Sequence, residues 1–317
     1  MQKERILVIG ACGQIGVELV DALRKKYGKE NVLASDIRPA SPLIKDTGPF
    51  VILDALDIQA TRSLVKKENI TTIYLLAALL SATGEKDPKL CWDLNIGSLR
   101  QVLDLGVEEK LKIFWPSSIA VFGNTTPRDN TPQATVIEPN TMYGITKYTG
   151  ELLCQYYKKR YGLDVRSVRY PGLISWKLEP GGGTSDFAVA IFYDAIKEGK
   201  YTCFLSEHTY LPMMYMEDAI RATLQLMETP KEKLKSTTAY NLSAVSFSPK
   251  EISEAIKKYL PNFEISYNPD SRQAIADSWP NSIDDSVARA EWGWQHEYNL
   301  EEIVKDMLKN LKEKFGK

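Results

Sequence analysis

The sequence predicts an α/β fold: a doubly wound parallel sheet with a smaller C-terminal α/β lobe. Three observations carry that prediction. Short apolar runs alternate with helical stretches through the first half of the chain, the pattern of a parallel sheet covered on both faces. The first run opens into a glycine-rich turn that leads straight into a helix. After about residue 170 the alternation loosens into loops rich in Gly and Pro, without a clean linker.

The elements follow in order. Arg5-Ile6-Leu7-Val8-Ile9 is apolar and partly β-branched, as expected of a buried strand. A helical pattern then runs through Leu19, Leu23 and Tyr27. Asn31-Val32-Leu33-Ala34-Ser35 is the second strand, and Phe50-Val51-Ile52-Leu53 the third, ending near Asp57. Thr72-Ile73-Tyr74-Leu75-Leu76 is the fourth and opens into Ala77-Ala78. Residues from about 88 to 106 read as a helix, and Lys112-Ile113-Phe114-Trp115 as the fifth strand. A long helix carries Tyr143 and runs to about Tyr161, followed by a sixth strand, Asp164-Val165-Arg166-Ser167-Val168. Residues 1–170 are therefore expected to form the dinucleotide-binding domain. Residues 171–317 form mainly a substrate lobe, which could return elements to the first sheet.

The turn Gly10-Ala11-Cys12-Gly13-Gln14-Ile15-Gly16 has the context of a dinucleotide site. Gly10 permits the tight turn, Gly13 lets the backbone approach a pyrophosphate, and Gly16 lets the helix pack closely. The helix N-terminus supplies unpaired N–H groups for phosphates. Asp36 lies 20 residues after Gly16, at the end of the second strand, where an acidic residue would bond the ribose hydroxyls of NAD. Its charge would repel the 2′-phosphate of NADP. Arg38 could favour that phosphate, but Asp36 holds the better position, so NAD is the expected cofactor.

Tyr143 and Lys147 are four residues apart on one helix and project from the same face. A phenol has a pKa of about 10 and is a poor base near neutrality. A nearby ammonium favours the phenolate without supplying the whole drop, to which a bound nicotinamide cation would add, so the pair reads as a general base for an alcohol. Two ordinary exposed helix residues would give the same spacing. Pro116-Ser117-Ser118 follows the fifth strand at its carboxyl end, where ligands bind in open α/β sheets. A hydroxyl there can hold a substrate alcohol; a pair of turn serines is the plainer reading. Asn95, mid-helix, either braces the sheet near the site or is an ordinary exposed amide.

Composition narrows the function. The 317 residues carry 40 Lys and Arg against 41 Asp and Glu, a net charge of −1, so nothing marks a nucleic-acid surface. The Lys-rich stretch from Lys309 to Lys317 reads as the solvated face of a last helix. No apolar run approaches the roughly 20 residues that span a bilayer. The N-terminus leads directly into the first strand, leaving no room for a signal peptide. Cys12, Cys91, Cys154 and Cys203 are scattered, and His208 and His296 are the only histidines. A zinc site is therefore not expected, and a cytoplasmic protein with reduced thiols is.

Together, Gly10, Gly13, Gly16, Asp36, Asn95, Ser118, Tyr143 and Lys147 resemble, in order and spacing, the extended short-chain dehydrogenase/reductases. The resemblance implies a Rossmann domain in which Tyr143 is the acid/base. Lys147 would bind the nicotinamide ribose and lower the phenol pKa, and Ser118 would position the substrate hydroxyl beside Ser117. Asp57 and Ile58 would flank the adenine, and Leu76, Ala77 and Ala78 would line the cofactor behind the ribose. Gln14, Ile15 and Asn95 would complete its surroundings, with Tyr170-Pro171-Gly172-Leu173 approaching the nicotinamide.

Further segments are similar to the short-chain, metal-independent L-threonine 3-dehydrogenases. They are Leu79–Glu85, Pro180–Asp186, Arg272–Pro280, Ser282–Ser286 and Trp292-Gly293-Trp294. Where that family usually has Ser-Thr after the proline, this chain has Ser117-Ser118; where it has a second Thr after the triple glycine, this chain has Ser185, with Phe187 keeping the aromatic. Neither departure removes a hydroxyl. The resemblance implies oxidation of the 3-hydroxyl of L-threonine with NAD to 2-amino-3-ketobutyrate, which can lose carbon dioxide to aminoacetone. Ser81 and Thr184 would hold the amino and carboxylate groups, and Trp279 would close the pocket. The triple glycine suggests a mobile loop over substrate. A homodimer through the helices after Asn95 and around Tyr143 is implied as well. Two other readings stay open: a nucleotide-sugar epimerase or dehydratase on the same fold, which would retain NAD tightly, and a non-catalytic NAD sensor, which has no need of Ser118, Tyr143 and Lys147 together.

Overall fold

A computed structural model describes residues 4–236 and 239–316. The first half runs β1 (Ile6–Ile9), α1 (Gln14–Tyr27), β2 (Val32–Asp36), β3 (Phe50–Ile52), α2 (Ile58–Lys67), β4 (Thr72–Leu75), α3 (Ser81–Lys86), α4 (Pro88–Glu109), β5 (Lys112–Phe114), β6 (Ser117–Ser118), α5 (Met142–Tyr161), β7 (Asp164–Arg166) and β8 (Val168–Tyr170). The second half runs β9 (Gly172–Ile174), α6 (Phe187–Lys197), β10 (Lys200–Cys203), β11 (Leu211–Tyr215), α7 (Met216–Glu228), β12 (Tyr240–Asn241), β13 (Val245–Phe247), α8 (Pro249–Lys257), β14 (Glu264–Tyr267), α9 (Arg272–Asp277), α10 (Ser286–Trp292) and α11 (Leu300–Phe315).

Six parallel strands form the main sheet in the order β3-β2-β1-β4-β5-β7. The order reverses between β1 and β4, and that switch point is where open α/β sheets bind ligands. Both faces of β1 are buried. Ile6 and Val8 pack with α1, α7 and α10, while Leu7 and Ile9 pack with α4 and α5. Alternate residues of a strand face opposite ways, so an unbroken apolar run is what a sheet covered on both sides requires. A third cluster lies in the second half, around α6, α8 and α11.

The sixth strand differs from the sequence expectation. It breaks at Ser167 because the strand changes partner there. β7 pairs with β5, whereas β8 pairs with β6 on one side and β12 on the other. Trp115 N donates to Arg166 O at 3.0 Å and Tyr240 N to Ser167 O at 3.0 Å, so the pairing continues across the break. β12 comes from the second half of the chain and adds to the sheet edge beside the site.

Candidate active site

The glycine turn is held against β2: the Gly10 and Ala11 N–H groups both donate to Ser35 O, each at 2.9 Å. Gly10 has φ +91°, and a Cβ there would lie 2.6 Å from Ala77 N. A Cβ at Gly16 would lie 2.4 Å from Gly10 O. Gly13 starts α1 and offers no side chain to cap it, so the first N–H groups stay available for an anion. The Gln14 amide nitrogen is buried with no partner. A narrow backbone cradle, an uncapped helix start and an orphaned donor together fit a dinucleotide pyrophosphate.

Asp36 is buried, and its carboxylate accepts from Cys12 N at 2.9 Å and from Arg38 N and Nε at 3.1 and 3.0 Å. Burial pushes its pKa up, but the hydrogen bonds from Arg38 and Cys12 outweigh it and leave the group below the ordinary carboxylate value. It is thus a fixed anion beside the glycine turn. Asp57 is exposed and caps α2 by accepting from Ala60 N at 2.9 Å, and Ile58 begins that helix. Neither lines the cleft described next.

One cleft gathers most of the other expected residues. It is lined by Gly10, Gly13, Gln14, Ile15, Gly16, Leu76, Ala78, Ser81, Ser117, Ser118, Tyr143, Lys147, Tyr170, Thr184 and Trp279, with Pro116, Pro171 and Asp186 among the rest. Ala77 lies beneath Gly10 instead. Asn95 lies behind the cleft, buried, with its amide oxygen accepting from Leu79 N at 2.9 Å. Its Nδ2 donates to Leu79 O at 3.1 Å and Thr146 Oγ1 at 3.0 Å. The bracing role follows directly: Asn95 ties the loop after β4 to α5. The Tyr170 hydroxyl is paired with Thr223, so that side chain is turned toward α7 while its segment borders the cleft.

The start of α5 is fixed from three sides. Thr141 caps it by accepting from Gly144 N at 3.1 Å, and Glu85 accepts from Met142 N at 2.6 Å. Gly144 sits so close to the chain after β6 that a Cβ would lie 2.1 Å from Ala120 O. This locks Tyr143 opposite Ser118, whose hydrogen bond to the phenol favours ionisation. Lys147 is buried, donates from Nζ to Pro116 O at 2.6 Å, and lies 4.5 Å from the Trp115 ring centre and 5.5 Å from that of Tyr143.

Burial pushes the Tyr143 phenol up to about 12, with Ser118 pulling it down only in part. Burial likewise pushes Lys147 down to about 7. The protein's own groups therefore do not bring the phenol near neutrality. The remaining drop falls to the positive charge of a bound cofactor and to the substrate hydroxyl.

In the same cleft, Ser81 Oγ and Thr184 Oγ1 meet at 3.4 Å, both buried. The Asp186 carboxylate accepts from Gly182 N at 2.8 Å and Gly183 N at 2.7 Å, and so pins the glycine loop that presents Thr184. The sequence reading gave Asp186 no role, although a carboxylate three residues after Gly-Gly-Gly is a signal for such a turn. Trp279 is 4% exposed, and its indole N–H finds no acceptor. A buried donor without a partner suits a ligand acceptor. Ser117 Oγ donates to Glu151 at 2.6 Å, so its proton is already committed. Among the described residues, no group of three or more His, Cys, Asp or Glu side chains could hold a metal ion, and no helix is long and apolar enough to cross a membrane.

The model of the NAD dependent epimerase/dehydratase family matches residues 6–243. An uncharacterized epimerase/dehydratase of Staphylococcus aureus strain USA300 is 51% identical over 313 residues, covering 98% of each chain. A solved structure of a partial consensus L-threonine 3-dehydrogenase is 56% identical with a TM-score of 0.96, covering 98% of this chain and 99% of that one. The holo form of the GalE-like L-threonine dehydrogenase of Cupriavidus necator is 54% identical with a TM-score of 0.95, covering 97% of this chain and all, 100%, of that one. The chain belongs to the NAD dependent epimerase/dehydratase family.

Proposed function

We propose that this protein is an NAD-dependent L-threonine 3-dehydrogenase that oxidises the 3-hydroxyl of L-threonine to 2-amino-3-ketobutyrate. The observation that carries the reading is one cleft that holds both a Ser118–Tyr143–Lys147 cluster and paired Ser81 and Thr184 hydroxyls, with an unpartnered Trp279 N–H in its lining. The first cluster suits an alcohol; the second suits an amino acid's ammonium and carboxylate. The high identity to solved L-threonine dehydrogenases supports the same substrate.

NAD, when bound, supplies the hydride acceptor. Gly10, Gly13, Gln14, Ile15 and Gly16 would hold its pyrophosphate, and Asp36 a ribose. Asp57 and Ile58 would lie toward the adenine, and Leu76, Ala77 and Ala78 behind the ribose. Ser118 donates to or accepts from the substrate hydroxyl and holds it beside Tyr143. Tyr143 takes the hydroxyl proton as its C–O bond becomes a ketone. Lys147 lies buried next to that phenol and, in its protonated form, favours the phenolate. Ser81, Thr184 and Trp279 orient the amino-acid end and exclude water. Asn95 keeps the loop leading to Ser81 in register with α5.

The enzyme acts as a cytoplasmic homodimer. Leu90 and Trp92 on α4 and Ile145, Leu152 and Tyr156 on α5 are large apolar side chains left exposed, and on α5 they recur at helical spacing along one face. Two copies would bury these faces against each other. The dinucleotide half ends near residue 170 and the substrate half follows, with α7 and β12 returned to the first. Tyr143→Phe tests the base: turnover should vanish while NAD affinity is largely kept, and surviving activity would remove Tyr143 from that role.

A further inference from the structure

Behind Tyr143 and Lys147 lies a buried ion pair that the chemistry above does not use. Glu151 follows Lys147 by four residues on α5, so the two share a helix face. It is 1% exposed. Its Oε1 accepts from Ser117 Oγ at 2.6 Å and Arg169 Nε at 2.8 Å, and its Oε2 from Arg169 Nη2 at 2.7 Å. Arg169 sits on β8 opposite Ser117, and is 2% exposed. Its Nη1 donates to Asn241 Oδ1 at 3.0 Å and Gln133 O at 3.3 Å. A buried ion pair is weak evidence for stability, since apolar groups of similar size often do as well or better.

The surroundings of Lys147 point to its use. Tyr143, Glu151 and Cys154 face it from α5, Cys91 from α4, and the Trp115 ring from the segment between β5 and β6. Burial raises the pKa of both thiols and of the phenol. Glu151, paired with the Arg169 guanidinium, is the one carboxylate in that group. Lys147 bonds to Pro116 O, and Pro116 leads into Ser117, which Glu151 also holds.

We propose that Glu151, oriented by Arg169, is a positioning residue for the acid/base pair: its charge holds the Lys147 ammonium in place, and its bond to Ser117 fixes the Pro116–Ser118 edge. This rests on the reading of Tyr143 and Lys147 as that pair. Removing the negative charge eases proton loss from both Lys147 and Tyr143.

The test is the pH dependence of kcat and kcat/KM for L-threonine in the wild type, Glu151→Gln, and Glu151→Gln/Arg169→Met. Glu151→Gln should move both limbs of the profile to lower pH by about one unit, the lower end of what a close charge produces. The double variant, which leaves no unpaired buried charge, should move them the same way by less. A rate lowered equally at every pH, with unmoved limbs, would mean a merely structural pair and overturn the proposal. If Glu151→Gln does not fold, unmoved limbs in the double variant overturn it equally. Tyr143→Phe separates the two ideas. Surviving activity there removes the acid/base reading itself, whereas a dead Tyr143→Phe enzyme with unmoved Glu151 limbs removes only the role of Glu151.

Discussion

Replacing Lys147 by Met removes an ammonium that has no bonded carboxylate, and the stability change can be worked out in advance. The folded-state pKa is about 7 against an ordinary 10.5. Each unit is worth about 1.36 kcal/mol, so burying the charged form costs up to roughly 5 kcal/mol well below pH 7. Against this, Met loses the bond to Pro116 O, which leaves a buried carbonyl unpaired at about 1–3 kcal/mol. The cation–π contact with Trp115 favours the charged form and is already contained in that pKa. The net expectation at pH 6 is a cofactor-free variant more stable than wild type by roughly 3 kcal/mol.

The pH dependence is the sharper part, because it does not depend on those contact terms. A lysine whose folded pKa is depressed destabilises the fold fully below about 7, and that penalty fades as pH rises toward 10.5. Between pH 7 and pH 9 the wild type should therefore gain about 2 kcal/mol on the variant. Titrating groups away from Lys147 are common to both proteins and cancel in the difference, and the neighbouring Cys154 and Tyr143 are pushed above this pH range. Urea unfolding of both proteins at each pH, without cofactor, measures it. Parallel stability curves would mean that Lys147 is not buried as a strained cation, and the account of its role would fail with them.

The other predictions concern separate parts of the cleft and surface. Thr184→Ala should raise KM for L-threonine about tenfold or more, the worth of a hydrogen bond to a charged group, without weakening NAD binding; an unchanged KM would remove Thr184 from the site. In Gly16→Ala the new Cβ meets Gly10 O at 2.4 Å, so the glycine turn must shift, at a cost of about 1–3 kcal/mol. Calorimetry should then show NAD affinity largely lost, and unimpaired binding would move the pyrophosphate elsewhere. Ile145→Glu puts a charge in the exposed apolar face of α5 and should shift the mass measured by light scattering from dimer to monomer.

Much of this molecule can be read from local sequence because its signals are short-range. The strand–glycine–helix run from Ile6 to Leu23 and the four-residue spacing of Tyr143 and Lys147 each lie within one or two elements. What escapes is set by tertiary neighbours. Glu151 and Arg169 are 18 residues apart in sequence and meet only because β8 runs beside α5. The break at Ser167 depends on β12, supplied from more than seventy residues later, as the pairing of Val168 with Tyr240 shows. The pKa of Tyr143 in the cofactor-free protein is hidden for the same reason: spacing reveals the nearby cation, but burial decides the direction. Ser81 begins a short helix and meets Thr184, 103 residues away.

The most direct measurement mixes purified protein with NAD and L-threonine at mildly alkaline pH and follows absorbance at the reduced-nicotinamide band. Parallel cuvettes hold L-allo-threonine, L-serine and a uridine diphosphate sugar. A rise with L-threonine far above the others is the expected result. No rise with any amino acid, together with conversion of the sugar nucleotide, would keep the fold and the Tyr143 chemistry but contradict the assigned function.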